Sequence, residues 1–243
     1  MSRKGRVESF NFEQGHLVAG KYRIISKLGS GWEGEVYLTK ELETGIERTA
    51  KFFYPQRNIK NASAVTYAKK LHNVRQSPVI IQYHNREKTQ YRDATVTCLI
   101  SEYVEGEILQ DFINRHPRRR LETFEALHVL HALVSGLHSI HQLGEYHGDL
   151  HAGNIFISQK GLFFDVKFFD LFDWKDSKKE NQRKDICDLI RIFYDSLGGS
   201  VTYKHQRSEI KYIVSGLRKE LILGKFPNTG VLKYHLESFA WDN

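Results

Sequence analysis

Tyr146-His147-Gly148-Asp149-Leu150-His151-Ala152-Gly153-Asn154 is the stretch that decides how this chain folds. An aspartate followed five positions later by an asparagine sets two oxygen donors on one tight loop. A carboxylate so placed can orient and deprotonate a hydroxyl, while the amide oxygen can bind a hard cation. Upstream, Leu127, Leu130, Leu133, Val134, Leu137 and Ile140 repeat at helical spacing and predict a long amphipathic helix. Downstream, Ile155-Phe156-Ile157 and Val166-Lys167-Phe168-Phe169, separated by Gly161, predict a pair of short strands. Asp170 ends the second, where a carboxylate can hold magnesium between phosphates, opposite Asn154. Each residue alone reads as a surface turn. Their order on helix, loop and strand pair makes the pattern specific.

Further upstream the chain is β-rich. Tyr22–Ile25, Glu35–Leu38, Arg48–Phe53, Val79–Tyr83 and Val96–Ile100 predict strands, and Ala62–Arg75 a helix ended before Pro78. Leu28-Gly29-Ser30-Gly31-Trp32-Glu33-Gly34-Glu35-Val36 lies between two of these strands. A dinucleotide fingerprint opens a helix instead, so that fold is disfavoured. Bare backbone at a hairpin tip suits nucleotide phosphates, with Val36 positioned to touch an adenine ring, although glycine-rich hairpins are also ordinary turns. A second apolar helix is expected over Ile186–Leu197, stopped by Gly198-Gly199. Gly216–Leu221 and Leu232–Phe239 read as packing helices without chemistry. The expected fold is α+β and bilobal: an antiparallel β-rich N-lobe over residues 1–104 and a reduced, mostly helical C-lobe over 105–243. The two form one domain, 1–243, divided near Glu102 to Gly106.

On these residues the chain resembles the protein-kinase-like superfamily over nearly its whole length. The resemblance implies that Gly29, Gly31, Gly34 and Val36 cover ATP and that Lys51 pairs with its α- and β-phosphates. It makes Ser101-Glu102-Tyr103-Val104 the hinge, with the backbone of Glu102 and Val104 reading adenine. Asp149 is implied as the catalytic aspartate, Lys51 as its catalytic partner on the third strand, and Asn154 and Asp170 as magnesium ligands. Asp185, expected to open the next helix, is similar to the aspartate that braces the catalytic loop through backbone amides.

Four departures from the pattern bear on function. His-Gly-Asp-Leu-His-x-Gly-Asn is the wording of aminoglycoside and choline kinases and of several bacterial kinase-like families. The arginine before the aspartate is absent, so control by a phosphorylated activation loop is not expected. The segment from Asp170 to Asp185 is short, lacks Ala-Pro-Glu and carries Ser177 as its only hydroxyl residue. No Asp or Glu occurs between Glu47 and Glu87, and Tyr67 stands where the glutamate partner of Lys51 is expected. Lys51 is then held by nucleotide, by Tyr67, or by a carboxylate from elsewhere such as Asp170. Thr49 also replaces the usual alanine two residues before Lys51.

The 243 residues are 40% hydrophobic, enough for a real core. The net charge of +7 is spread over Lys69-Lys70, Arg118–Arg120, Lys178-Lys179 and Lys184. Spread charge favours a solvated surface, so nucleic acid is not the expected partner. Two cysteines suit a reducing compartment, and neither a signal-peptide core in MSRKGRVESFNF nor a membrane-length apolar run is present, so a soluble, cytoplasmic protein is expected. His128, His131, His138 and His141 share one helix but lack partners that would complete a zinc site. His147 is expected to brace its loop, Cys187 to be buried, and Trp32 to sit exposed or packed at the hairpin tip. The expected activity is ATP- and magnesium-dependent phosphoryl transfer to a hydroxyl, with a serine or threonine of a protein favoured. A small-molecule or sugar-hydroxyl kinase and a nucleotide-binding pseudokinase are the alternatives.

Overall fold

A computed structural model describes residues 6–161, 163–174 and 176–238. The first five residues of the MSRKGRVESFNF stretch and Phe239 of the last expected helix lie outside the described residues. The chain divides into two compact units, Met1–Arg75 with Ile81–Val104, and Gln76–Ile80 with Glu105–Asn243.

In the first unit, strands β1 (Leu17–Val18), β2 (Tyr22–Ser30), β3 (Gly34–Glu41) and β4 (Glu47–Phe53) precede helix α1 (Ala62–Asn73). Strands β5 (Tyr83–Tyr91) and β6 (Ala94–Glu102) follow. They form one antiparallel sheet in the order β1-β2-β3-β4-β6-β5. Alternation along β4 sends consecutive phenylalanines to opposite faces. Phe53 joins Leu99, Ala64, Tyr67 and Ala68 under α1, while Phe52 joins Tyr22, Ile24, Tyr37 and Cys98 on the far face. The chain's own N-terminal segment covers that far face. Phe10 and Phe12 stack at 5.4 Å, and Phe12 lies 4.8 Å from the Phe52 ring. Glu35 is buried beneath this segment and accepts hydrogen bonds from Ser9 Oγ (2.6 Å), the Phe10 amide (3.2 Å), Lys27 Nζ (2.7 Å), and the hydroxyls of Tyr37 and Tyr54.

The strand expected over Val79–Tyr83 is not there. Ile80 instead makes a single bridge to Phe168, and the Phe168 amide donates to the Val79 carbonyl at 2.7 Å. These residues are apolar because they are a buried connector, and β5 begins only at Tyr83. As an edge strand β5 leaves most of its side chains wet, so its polar sequence carried little strand signal. Helix α1 also stops at Asn73, short of Arg75.

The second unit holds β7 (Glu107–Ile108), α2 (Leu109–Arg115), α3 (Thr123–Gln142), β8 (Ile155–Lys160) and β9 (Phe163–Phe168). Helices α4 (Lys178–Ser196), α5 (Gly199–Tyr203), α6 (Ser208–Val214), α7 (Lys219–Lys225) and α8 (Thr229–Glu237) follow. Leu127, Leu130, Leu133, Val134, Leu137 and Ile140 are all buried on α3, which packs against β9, α4 and α8. Strands β7, β8 and β9 form a small antiparallel sheet. Helix α4 starts about two turns before Ile186, capped by Ser177, whose hydroxyl accepts the Glu180 amide at 3.2 Å. Its first turns are polar and were invisible to apolar periodicity, so Asp185 lies inside the helix, not at its start. The helix expected over Gly216–Leu221 is broken, because Gly216 and Leu217 both take left-handed φ before α7 begins. Among the described residues no helix is long and apolar enough to cross a membrane.

Candidate functional site

In the first unit, β2 and β3 run as a hairpin with Gly29 opposite Val36 and Ser30 opposite Glu35, and the Gly31 amide donates to the Gly34 carbonyl at 2.9 Å. A Cβ at Gly29 or Gly31 would meet nothing, so packing does not explain the bare backbone there. Gly34 differs: a Cβ would run into the Phe52 carbonyl oxygen, so this glycine is required by the sheet itself. The hairpin tip is tied down twice. Arg57 stacks on Trp32 at 3.9 Å from the ring centroid, and the Tyr54 amide donates to the Glu33 carbonyl at 2.9 Å. Trp32 is thus both exposed and packed, at 64% exposure. Lys51 stands opposite Val36 on β4. Its ammonium donates to Glu33 Oε2 at 3.1 Å and lies 4.6 Å from the centroid of the Tyr67 ring. Of the sources foreseen for holding Lys51, Tyr67 is therefore in place. Glu33 was not anticipated, because its position in the glycine hairpin gave no sign that its side chain folds back. Glu102 ends β6, donating its amide to the Gln82 carbonyl at 2.9 Å and accepting the Gln82 amide on its side-chain Oε1 at 2.9 Å; Val104 closes the unit.

In the second unit, Asp149 and Asn154 meet on one loop. Asn154 Nδ2 donates to the Asp149 backbone carbonyl at 2.9 Å and to Asp149 Oδ2 at 3.3 Å. That contact fixes which way the Asn154 amide faces and leaves its Oδ1 available. The Asp149 side chain is 55% exposed. Ile155 pairs with Phe168, and the Phe169 amide donates to the Asn154 carbonyl at 3.1 Å, so Asn154 and Asp170 share one end of the β8–β9 hairpin. Asp170 takes a left-handed φ of 55°, a backbone state unusual for a non-glycine residue. Two oxygen donors of this kind suit a hard cation such as magnesium.

The loop is held from behind by Asp185. Its fully buried carboxylate accepts the amides of His147 (2.7 Å) and Gly148 (2.9 Å), and His141 Nε2 lies 3.1 Å away. Three of the four α3 histidines have polar partners. His138 and His141 both engage Thr229, His131 pairs with Glu237, and among the described residues no group of three or more ligands could hold a metal. Cys187 is half-buried, where a buried side chain was expected, and burial pushes its thiol up.

The glycine that replaces arginine before Asp149 has a geometric cause. Gly148 sits at φ 89°, and a Cβ would approach the Phe172 carbonyl oxygen to 2.5 Å and Trp174 to 3.2 Å. The short segment after Asp170 closes over it: the Phe172 amide donates to the His147 carbonyl at 2.9 Å, and Trp174 Nε1 to the Gly148 carbonyl at 2.5 Å. Tyr146 ties the same segment down, its hydroxyl donating to Asp173 at 2.8 Å and accepting the Trp174 amide at 2.9 Å. We expect Gly148→Arg to displace Trp174 and cost about 2 kcal/mol or more, from left-handed strain plus the clash. Equilibrium denaturation checks the loss. A variant as stable as wild type would mean that arginine fits here.

Beside the loop, Asp188 Oδ2 lies 3.7 Å from Lys184 Nζ. Burial lifts its carboxyl to about 6, with Asp185 and Asp149 adding to the rise and Lys184 opposing it. An acid raised in the folded state weakens the fold as pH climbs from its unfolded value of 3.8 to about 6, and the whole penalty remains above that. Asp188→Asn is therefore expected to stabilise the chain by about 1–2 kcal/mol at pH 8 and by nothing at pH 4. Denaturation at the two pH values tests this; an equal effect at both contradicts it.

A glycine hairpin over a strand lysine, and an Asp/Asn loop followed by a strand-end Asp, are the parts of a phosphoryl-transfer fold. The protein kinase domain family matches residues 22–204, well over half of the sequence, and the chain belongs to that family. It is 30% identical over 156 residues to the serine/threonine-protein kinase pkn2 of Myxococcus xanthus, covering 63% of this chain and 18% of that protein. It is 26% identical over 149 residues to the serine/threonine-protein kinase PknA of Corynebacterium glutamicum, covering 60% and 31% respectively. The chain thus spans less than a third of the length of these curated relatives. The crystal structure of the Mycobacterium tuberculosis PknI kinase domain, a double mutant, shares the fold with a TM-score of 0.66 at 14% identity, covering 93% of this chain and 97% of that one.

Proposed function

We propose that the chain is an ATP-dependent phosphotransferase that moves the γ-phosphoryl group to a serine or threonine hydroxyl of a protein. The observation that carries this is the Asp149 carboxylate, held on its loop by Asn154 through one oxygen while the side chain stays exposed. The second oxygen is then oriented to accept the proton of an incoming hydroxyl. Asp185 preorganises the loop through two backbone amides, so little rearrangement is needed at the moment of transfer.

Lys51 supplies positive charge for the phosphates. The open space beside Gly29 and Gly31 lets phosphates come close to the hairpin backbone, Val36 packs on the adenine, and Glu102 and Val104 offer backbone groups to its edge. Asn154 Oδ1 and the Asp170 carboxylate would hold magnesium, which when bound neutralises charge on the phosphates. The preference for a protein acceptor is supported by the names of the relatives and by the three-glycine hairpin. A cytoplasmic, bacterial setting fits ATP supply, the two free thiols of Cys98 and Cys187, and the His-Gly-Asp wording.

A small-molecule hydroxyl acceptor is the second reading. Phe172 and Trp174 are spent on bracing the loop, which leaves little of the short segment to position a peptide. Labelled ATP and magnesium, with a basic protein mixture or a panel of amino-sugars and polyols as acceptors, separate the two. Label on protein that vanishes in Asp149→Ala supports the proposal, and label on a polyol moves the assignment to the second reading. ATP binding without any transfer makes the chain a binding module.

A further inference from the structure

Helix α1 carries no acid, yet the Lys51 ammonium is matched by a carboxylate. That carboxylate, Glu33, belongs to the glycine hairpin itself. Lys51 is 13% exposed and Glu33 27% exposed, so the 3.1 Å pair is partly shielded from water and from salt. The tip that carries Glu33 is independently pinned. Arg57 stacks on the adjacent Trp32, the Tyr54 amide holds the Glu33 carbonyl, and Gly31 closes on Gly34. Gly34 has no room for a side chain, which fixes the path of the backbone directly after Glu33. Tyr67, at the helix position facing Lys51, offers a ring face to the ammonium in place of a charge.

We infer that Glu33 is the positioning residue for Lys51, a role moved from helix α1 onto the glycine hairpin. Tyr67 and Glu33 both bear on where the ammonium points. Lysine placement then follows the hairpin, the element that would also cover the phosphates, and does not require a carboxylate from α1. Glu33 also brings negative charge next to the cation that the phosphates would use. Its removal therefore has opposite consequences for two steps: nucleotide binding loses a repulsion, while transfer loses an aligned lysine.

This inference rests on the phosphotransfer proposal above, and its test uses the full chain. In Glu33→Gln we expect kcat to fall tenfold or more while KM for ATP stays level or falls. Merely loosening the hairpin would raise KM instead. Glu33→Asp is expected to retain more activity than Glu33→Gln. Glu33→Gln combined with Tyr67→Glu, which returns a carboxylate to α1, is expected to recover at least a third of the lost kcat. An unchanged kcat in Glu33→Gln overturns the inference, as does a fall that neither Glu33→Asp nor the Tyr67→Glu combination relieves. A wild type without transfer defeats the function and not the pairing. The pairing is then read from MgATP affinity in a double-mutant cycle of Glu33→Gln and Lys51→Met. Coupling of threefold or more supports it, and independent effects overturn it.

Discussion

Asp149→Asn is expected to lower kcat by about three orders of magnitude, within the range for loss of a positioned general base. The substitution keeps shape and keeps an oxygen that can accept from Asn154 Nδ2, so the loop hydrogen bonds survive. What disappears is the capacity to take a proton. The Asp185 bonds to the amides of His147 and Gly148 do not involve the Asp149 side chain, so loop position and stability should hold. ATP affinity should also be unchanged, because Asp149 is not among the residues proposed to hold the nucleotide or its magnesium. Steady-state phosphate transfer, with thermal unfolding and nucleotide binding as controls, checks all three. Retention of more than a tenth of wild-type kcat would remove Asp149 from the chemistry.

Glu35→Ala is expected to destabilise the chain by about 3 kcal/mol, the order found when one member of a buried ionic network is removed. Burial would raise the Glu35 carboxyl, but hydrogen bonds from Lys27, Ser9 and Tyr37 and the charge of Lys27 outweigh it and bring it down to about 2. Truncation strands the hydroxyls of Tyr37 and Tyr54 and releases Ser9 and the Phe10 amide, loosening the N-terminal segment from the sheet. The same group predicts an acid limb. A carboxylate lowered in the folded state stabilises the fold above its unfolded value of 4.5, and that contribution is lost as pH falls towards about 2. Chemical denaturation at pH 7 and pH 3 should show wild type and Glu35→Ala converging at the acid end. A gap that stays constant with pH would assign the loss to packing alone.

Local patterns were enough for much of this protein. The strand runs at Tyr22, Glu35, Arg48 and Val96 and the 3.6-period run along α3 report local burial, of one face on α3 and of both faces at Phe52-Phe53 and Val96–Ile100, and such burial is written in side chains a few residues apart. The same holds for Asp149 and Asn154, whose contact spans five residues on one turn. Signals failed where burial had another cause. Val79–Ile81 are apolar as a connector, β5 is polar as an edge, and the start of α4 is set by the Ser177 cap.

The sequence alone therefore determined the class of fold, the glycine hairpin, the strand lysine and the Asp/Asn/Asp series, because each is written in short-range spacing. Tertiary structure decided the rest. It brought Glu35 under Ser9 and Phe10, set Trp174 against Gly148, seated the loop amides on Asp185, and turned Glu33 onto Lys51. Those partners lie 18 to 38 residues apart along the chain. A charge or a hydrogen bond at that separation is chosen by how the backbone returns in space, and no periodicity records that return.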